Sequence, residues 1–191
     1  MGITIAIIAV VVLILLFLIF SYNGIIRLRN RIDAAFAQID VQLRRRHDLI
    51  PNLVESVKGY AGHERETFES VTRARSQAVS ATGVDAQGKA EGQLTQSLRQ
   101  LLAVAEAYPE LKANQNFLAL QEELTGTEGR IAFSRQFYNE QVLAYDTKIQ
   151  AFPGNVFASI FNFTSRQYFE TEADSRGAVQ VDFGTGSSPT A

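Results

Sequence analysis

Residues 3–20 constrain what this chain can be more than any other stretch. The run, ITIAIIAVVVLILLFLIF, holds eighteen residues with one polar side chain, Thr4, and no charge. Its large apolar residues follow no helical period, so no side of it is meant for water. At about 1.5 Å per residue a helix over the run is roughly 27 Å long. Hydrocarbon cores are about 30 Å thick, and tilt or local thinning absorbs the difference. At about −0.3 to −0.6 kcal/mol per large apolar residue, insertion is favoured by roughly 4 to 8 kcal/mol. A cleaved signal peptide would need a basic n-region, a shorter apolar core and a small-x-small cleavage site. No Lys or Arg precedes the run, and Ser21-Tyr22-Asn23-Gly24-Ile25 makes a poor cleavage site. The expectation is a membrane span, with Tyr22 as an interfacial aromatic. Arg27, Arg29 and Arg31 follow it, and only the amino terminus precedes it. The positive-inside rule then places the remainder of the chain in the cytoplasm.

After the span about 170 residues remain of the 191, enough for one domain with its own core. Without cysteine the chain has no disulfide, thiolate metal site or cysteine nucleophile. A net charge of −2 supplies no global field for nucleic acid. Ala, Gln, Glu, Leu and Arg are plentiful over residues 25–151 and Pro is nearly absent, a composition that favours helix.

From Gly24 the all-apolar run becomes amphipathic without a strong breaker. Ile25, Leu28, Ile32, Phe36, Ile39 and Leu43 recur at three- and four-residue steps, one face of a helix. This predicts one rod from the bilayer to about Arg46. Pro51 is expected to end or kink it, because proline lacks the amide that would bond to the carbonyl of His47. With Asp48 as cap, a second helix is predicted to about Ser80. Thr82 to Lys89 reads as a linker. Leu94, Leu98, Leu101, Leu102 and Ala105 mark a third helix, ended before Pro109. A long fourth helix runs from Phe117 to about Phe152, weakened at Gly126 and Gly129 and stopped by Pro153-Gly154. The expected fold is all-α: a transmembrane anchor over residues 1–23 continues into an antiparallel bundle of about four long helices over 24–170. Residues 171–191 read as a polar, disordered tail in which Val179 to Phe183 alternate too briefly to form a sheet.

The stretch Gln38-Ile39-Asp40-Val41-Gln42-Leu43-Arg44-Arg45-Arg46-His47-Asp48-Leu49-Ile50-Pro51-Asn52-Leu53 carries on to Gly59-Tyr60. Together with His63-Glu64, Ala74-Arg75, Tyr138-Asn139 and Ile149-Gln150-Ala151-Phe152-Pro153, it resembles the signature of the LemA family. The likeness covers nearly the whole chain and leaves out the tail. Phe36 and the Arg44 to Arg46 run stand where relatives often have Trp and a Lys/Arg mixture, which leaves bulk and charge unchanged. The resemblance implies a single-pass protein of the bacterial inner (cytoplasmic) membrane, an antiparallel helical bundle on the cytoplasmic side, and no established reaction.

Candidate chemistry is sparse. His63-Glu64 begins like a zincin motif, but Thr67 stands where the second histidine belongs. With no Cys and two His, no metal and no cofactor is expected; His47 is expected to pair with Asp48 or cap the rod, and His63 to lie on the second helix. Glu55, Glu64, Glu122, Glu123 and Glu128 read as solvated, because no Glu-x-x-His accompanies them as it does in di-metal bundles. No Gly-x-Ser-x-Gly, phosphate loop or dinucleotide fingerprint occurs. These absences make a non-enzyme the expectation.

The surfaces left for function are basic and aromatic. Arg27, Arg29 and Arg31 are placed to meet lipid headgroups. Arg44 lies about 36 Å beyond Phe20 on an upright helix, several Debye lengths from the bilayer. Arg44, Arg45 and Arg46 therefore suit the end of the rod, through the helix dipole and Asp40, or a partner contact. The segment 155–170 is rich in aromatics; Phe157, Phe161 and Phe163 either contact a partner, lie in the membrane interface, or fold back over the bundle end. The function expected is a membrane-tethered scaffold meeting other membrane or cytoplasmic proteins and forming a homo-oligomer, without nucleic acid. The alternatives are a lipid-binding, membrane-shaping protein and, lower, an enzyme with an unrecognised site.

Overall fold

The computed structural model describes residues 1–169. The tail 171–191, including the alternation at Val179 to Phe183, lies outside the described residues. Six helices account for the fold: α1 (Gly2–Lys58), α2 (Arg65–Ser80), α3 (Val84–Glu106), α4 (Pro109–Lys112), α5 (Gln115–Gln150) and α6 (Gly154–Phe161). The all-α expectation is met, with four long helices and two short ones.

The N-terminal rod is longer than the sequence pattern predicts. α1 runs unbroken through 57 residues, about 85 Å at the helical rise. It passes through Pro51 and ends at Lys58, not near Arg46. Pro51 removes one hydrogen bond, but the buried stripe reaches it at Ile50 and continues beyond it through Leu53, Val54 and Val57. That burial is worth about 1.5–3 kcal/mol per large side chain and outweighs the loss. The true break is at residues 59–64, so the second helix begins at Arg65 rather than near Asp48. His63 accordingly lies exposed in the connection and not on α2.

The expected linker at residues 82–89 shrinks to Ala81, Thr82 and Gly83. Gly83 adopts φ +86°, a backbone conformation glycine reaches at no steric cost. Val84 starts α3, supported by a Lys89–Asp85 ion pair at 2.9 Å across one turn. α5 continues through Gly126 and Gly129. It is capped by Asn114, whose Oδ1 accepts from the amides of Asn116 (2.9 Å) and Phe117 (3.2 Å). α6 ends at Asn162 in the left-handed region, φ 53°, which Asn tolerates better than most residues.

α1 packs along α5, and α2 along α3; α3 and α5 stand apart. The buried apolar residues form two clusters. One, at the end far from residues 3–20, joins Ile50, Leu53 and Val57 of α1 to Phe68 and Val71 of α2, Leu94, Leu98 and Leu101 of α3, and Phe117 and Leu124 of α5. The other, nearer the apolar run, joins Ile25, Ile32, Ile39 and Leu43 to Ile131, Tyr138, Val142, Tyr145 and Ile149, closed by Phe157 and Phe169. In the apolar run itself the eighteen-residue window has mean hydropathy 3.5 and none of it is buried. The segment is long and apolar enough to cross a membrane.

Candidate functional site

Between the two apolar clusters lies a polar layer to which all four long helices contribute. Its centre is Arg46 on α1, 1% exposed, and Glu91 on α3, fully buried. Arg46 Nη1 donates to Glu91 Oε2 at 2.8 Å, and Nη2 donates to Thr95 Oγ1 at 2.7 Å. Its Nε forms an ion pair with Glu128 Oε1 of α5 at 2.8 Å. His47 Nε2 lies 2.7 Å from the other Glu91 oxygen. From α2, Arg75 Nε donates to the His47 carbonyl at 2.7 Å. Both terminal nitrogens of Arg46 are thus hydrogen-bonded, its Nε meets Glu128 as an ion pair without hydrogen-bond geometry, and both Glu91 oxygens are engaged. Buried charges persist only when paired and hydrogen-bonded in this way.

These positions correct several expectations. Arg46 is inside the bundle and is not a partner contact. Arg44 and Arg45 do reach the surface, where Arg44 pairs with Asp40 at 2.6 Å and Arg45 pairs with Glu123. His47 meets Glu91, not Asp48. Glu91 was missed because residues 84–89 read as a linker and α3 seemed to begin later. Its signal was present: it stands three residues before Leu94, on the stripe continued by Leu98, Leu101 and Ala105. A carboxylate in register with an apolar stripe needs a buried cation.

A groove of about 930 Å³ opens between α3 and α5, with Arg46 and Glu128 in its wall and Tyr168 and Phe169 at its rim. Those last residues belong to an extended strap over residues 162–169. Asn139 holds it through both amide atoms: Nδ2 donates to Phe169 O (3.1 Å), and Oδ1 accepts from Phe169 N (2.9 Å). Tyr138 and Tyr145 donate their hydroxyls to the carbonyls of Gln167 (3.0 Å) and Thr164 (3.2 Å). Burial pushes both phenols above their ordinary value, with Arg166 pulling the other way. Phe169 itself packs against Phe36 and Tyr138. That residues 155–170 fold back over the bundle is one of the readings the sequence offers; the α5 side chains that fasten the strap are not, because it bonds to them through its backbone.

At the end nearer the apolar run, Phe157 is 6% exposed and closes the cluster around Ile25 and Ile149, so it is core and not a partner contact. Phe161 and Phe163 gather around Tyr22, with ring centroids 4.9 and 5.9 Å away. Arg27, Arg29 and Arg31 are all exposed just beyond. Among the described residues no group of three His, Asp or Glu side chains is placed to hold a metal ion. What the geometry offers is a locked charge layer, an open groove and an aromatic collar.

The chain is 26% identical over 179 residues to magnetosome protein MamQ 2 of Paramagnetospirillum magneticum, covering 80% of this chain and 66% of that protein. It is 24% identical over 178 residues to MamQ of Magnetospirillum gryphiswaldense, covering 80% and 65%. The chain thus spans slightly less than two thirds of these relatives' length. It is 28% identical over 162 residues to protein LemA of Metamycoplasma hominis, covering 84% of this chain and 73% of that one. A family model described as LemA family matches residues 35–183, from the middle of α1 onward, and the chain belongs to the LemA family.

Proposed function

We propose that this protein is a non-enzymatic scaffold, tethered to the bacterial inner membrane by one span, whose bundle stands in the cytoplasm and holds partner proteins or further copies of itself. The observation that carries this reading is the continuity of α1. One helix of 57 residues includes both the apolar run and a wall of the bundle, so displacement of the anchor is transmitted rigidly rather than lost in a linker. The charge layer supports the same reading, since its members are occupied with one another.

Partner contacts fall to surface groups. Arg44 and Arg45 remain candidates. Phe133 and Phe137, one turn apart on α5, add aromatic surface at 72% and 38% exposure; exposed aromatics are the usual anchors of protein contacts. Because the chain has no cysteine, the test is direct. Single substitutions Phe133→Cys and Val41→Cys in the full chain, crosslinked in native membranes, should give discrete protein adducts or a homodimer. Adducts at neither position, with the purified chain monomeric by light scattering, would overturn the scaffold.

A further inference from the structure

We propose that α6 is an interfacial lipid-binding helix, resting on the surface of the same bilayer that α1 crosses. The inference depends on the reading of residues 3–20 as a span, and adds a second attachment to it.

Position comes first. Phe161 touches Tyr22 with ring centroids 4.9 Å apart, and Tyr22 lies about 3 Å along the helix axis beyond Phe20, where the apolar run ends. Phe157 is buried in the cluster that contains Ile25. α6 therefore sits at the level where α1 leaves the hydrocarbon, which is the depth of the headgroups.

The exposed face comes next. Phe152 lies in the turn before α6, and Val156, Ile160 and Phe161 lie on it, the first two one turn apart. They are 82%, 47%, 65% and 52% exposed. The buried side of the helix, Gly154 and Phe157, fixes it to the bundle. Four large apolar side chains exposed along one short segment cost free energy in water. A bilayer surface at that height covers them, with the helix sunk about 5–10 Å into the headgroup–acyl boundary.

The charge pattern favours lipid. Residues 152–163 contain no ionisable side chain, so insertion desolvates no charge. Arg27, Arg29 and Arg31 are exposed on α1, about 7 to 14 Å past Tyr22 along the axis, within reach of anionic headgroups. A lone span can rotate about its axis; a second contact fixes that rotation. The α3–α5 groove is then held at one angle to the membrane.

The test uses the full chain in phosphatidylglycerol–phosphatidylcholine vesicles. Single substitutions Val156→Cys, Ile160→Cys, Gln167→Cys and Ile19→Cys each carry an environment-sensitive fluorophore, with helicity checked by circular dichroism. Lipids spin-labelled near the headgroup should quench the 156 and 160 probes severalfold more than the 167 probe, with a blue shift. Deep-labelled lipids should quench the probe at 19. Probes at 156 and 160 that stay aqueous while the probe at 19 is quenched overturn the inference and leave the span intact. Probes at 156 and 160 shielded from water but untouched by spin-labelled lipid also overturn it, because protein, such as a second copy, then covers α6. An unquenched probe at 19 overturns the span, and the inference falls with it.

Discussion

Arg75 and Pro51 are joined through an atom that belongs to neither. Pro51 has no amide to give the His47 carbonyl, and Arg75 Nε on α2 supplies the missing donor at 2.7 Å. The proline that seemed bound to break α1 is thus tolerated inside it and tied to a second helix. Replacing Arg75 with Ala leaves that buried carbonyl short of a partner, at a cost of about 1–3 kcal/mol. Pro51→Ala restores the amide, so the double variant Pro51→Ala/Arg75→Ala should lose much less than Arg75→Ala alone. Denaturant unfolding of the four proteins of this cycle measures the coupling. Strictly additive losses would show that Arg75 contributes elsewhere.

The buried Arg46–Glu91 pair leads to the second prediction. Removing one partner from such a pair strands a charge and costs about 3–5 kcal/mol. Glu91→Ala should do so, because Arg46 and His47 lose their shared acceptor. Replacing both, as in Arg46→Met/Glu91→Leu, should cost less than either single change, since no buried charge is then stranded and the Glu128 carboxylate, 40% exposed, keeps its water. The double variant should also hold its helices in register less strictly, read as broadened amide spectra. A Glu91→Ala loss below about 1 kcal/mol would mean water reaches the layer.

How much of this was legible in the chain follows from distance along it. The apolar run and the stripe from Ile25 to Leu43 are local patterns, and both became the elements they announce. Family motifs also pointed to the bundle. Pro51 misled because its compensation comes from Arg75, twenty-eight residues apart from His47. Arg46 looked like a surface cation because its neighbours Arg44 and Arg45 are; only Glu91, forty-five residues on, shows that it points inward. The fold-back of residues 155–170 is one reading of their aromatics, but its fastening is not legible: the strap offers backbone groups, which every residue carries, to the side chains of Tyr138, Asn139, Tyr145 and Asp146.

Two glycines separate packing from helix propensity in the third prediction. A Cβ on Gly154 would lie 1.8 Å from the Lys148 carbonyl oxygen, whereas one on Gly24 meets only the Lys148 Cε at 3.9 Å. Gly154→Ala should push α6 off the bundle and expose Phe157, at a cost of about 1.5–3 kcal/mol. Gly24→Ala should stabilise α1 by about 0.5–1 kcal/mol, since alanine favours helix interiors. Hydrogen exchange over residues 155–161 checks the first and thermal unfolding the second. Unchanged protection in Gly154→Ala would place the corner elsewhere.

The strap gives a dependence on pH. Burial raises the Tyr138 and Tyr145 phenols above their ordinary value, about 10 in an unfolded chain. The folded protein therefore keeps these protons after the unfolded chain has lost them. Their contribution is fully present below about pH 10 and is lost as pH rises through the folded values. In an alkaline absorbance titration of the six tyrosines, the signal missing from Tyr138→Phe/Tyr145→Phe should come from the late portion, which Tyr168, also raised by burial and Asp146, shares. Hydrogen-exchange protection at Phe169 should fall over the same range in the parent chain. In the double variant that fall should be smaller, on top of a uniform loss of about 0.5–1.5 kcal/mol per hydrogen bond removed. An early titration of this pair would mean that water reaches the phenols and that the strap is held by Asn139 and by Asp146, whose Oδ1 accepts from the Arg166 amide.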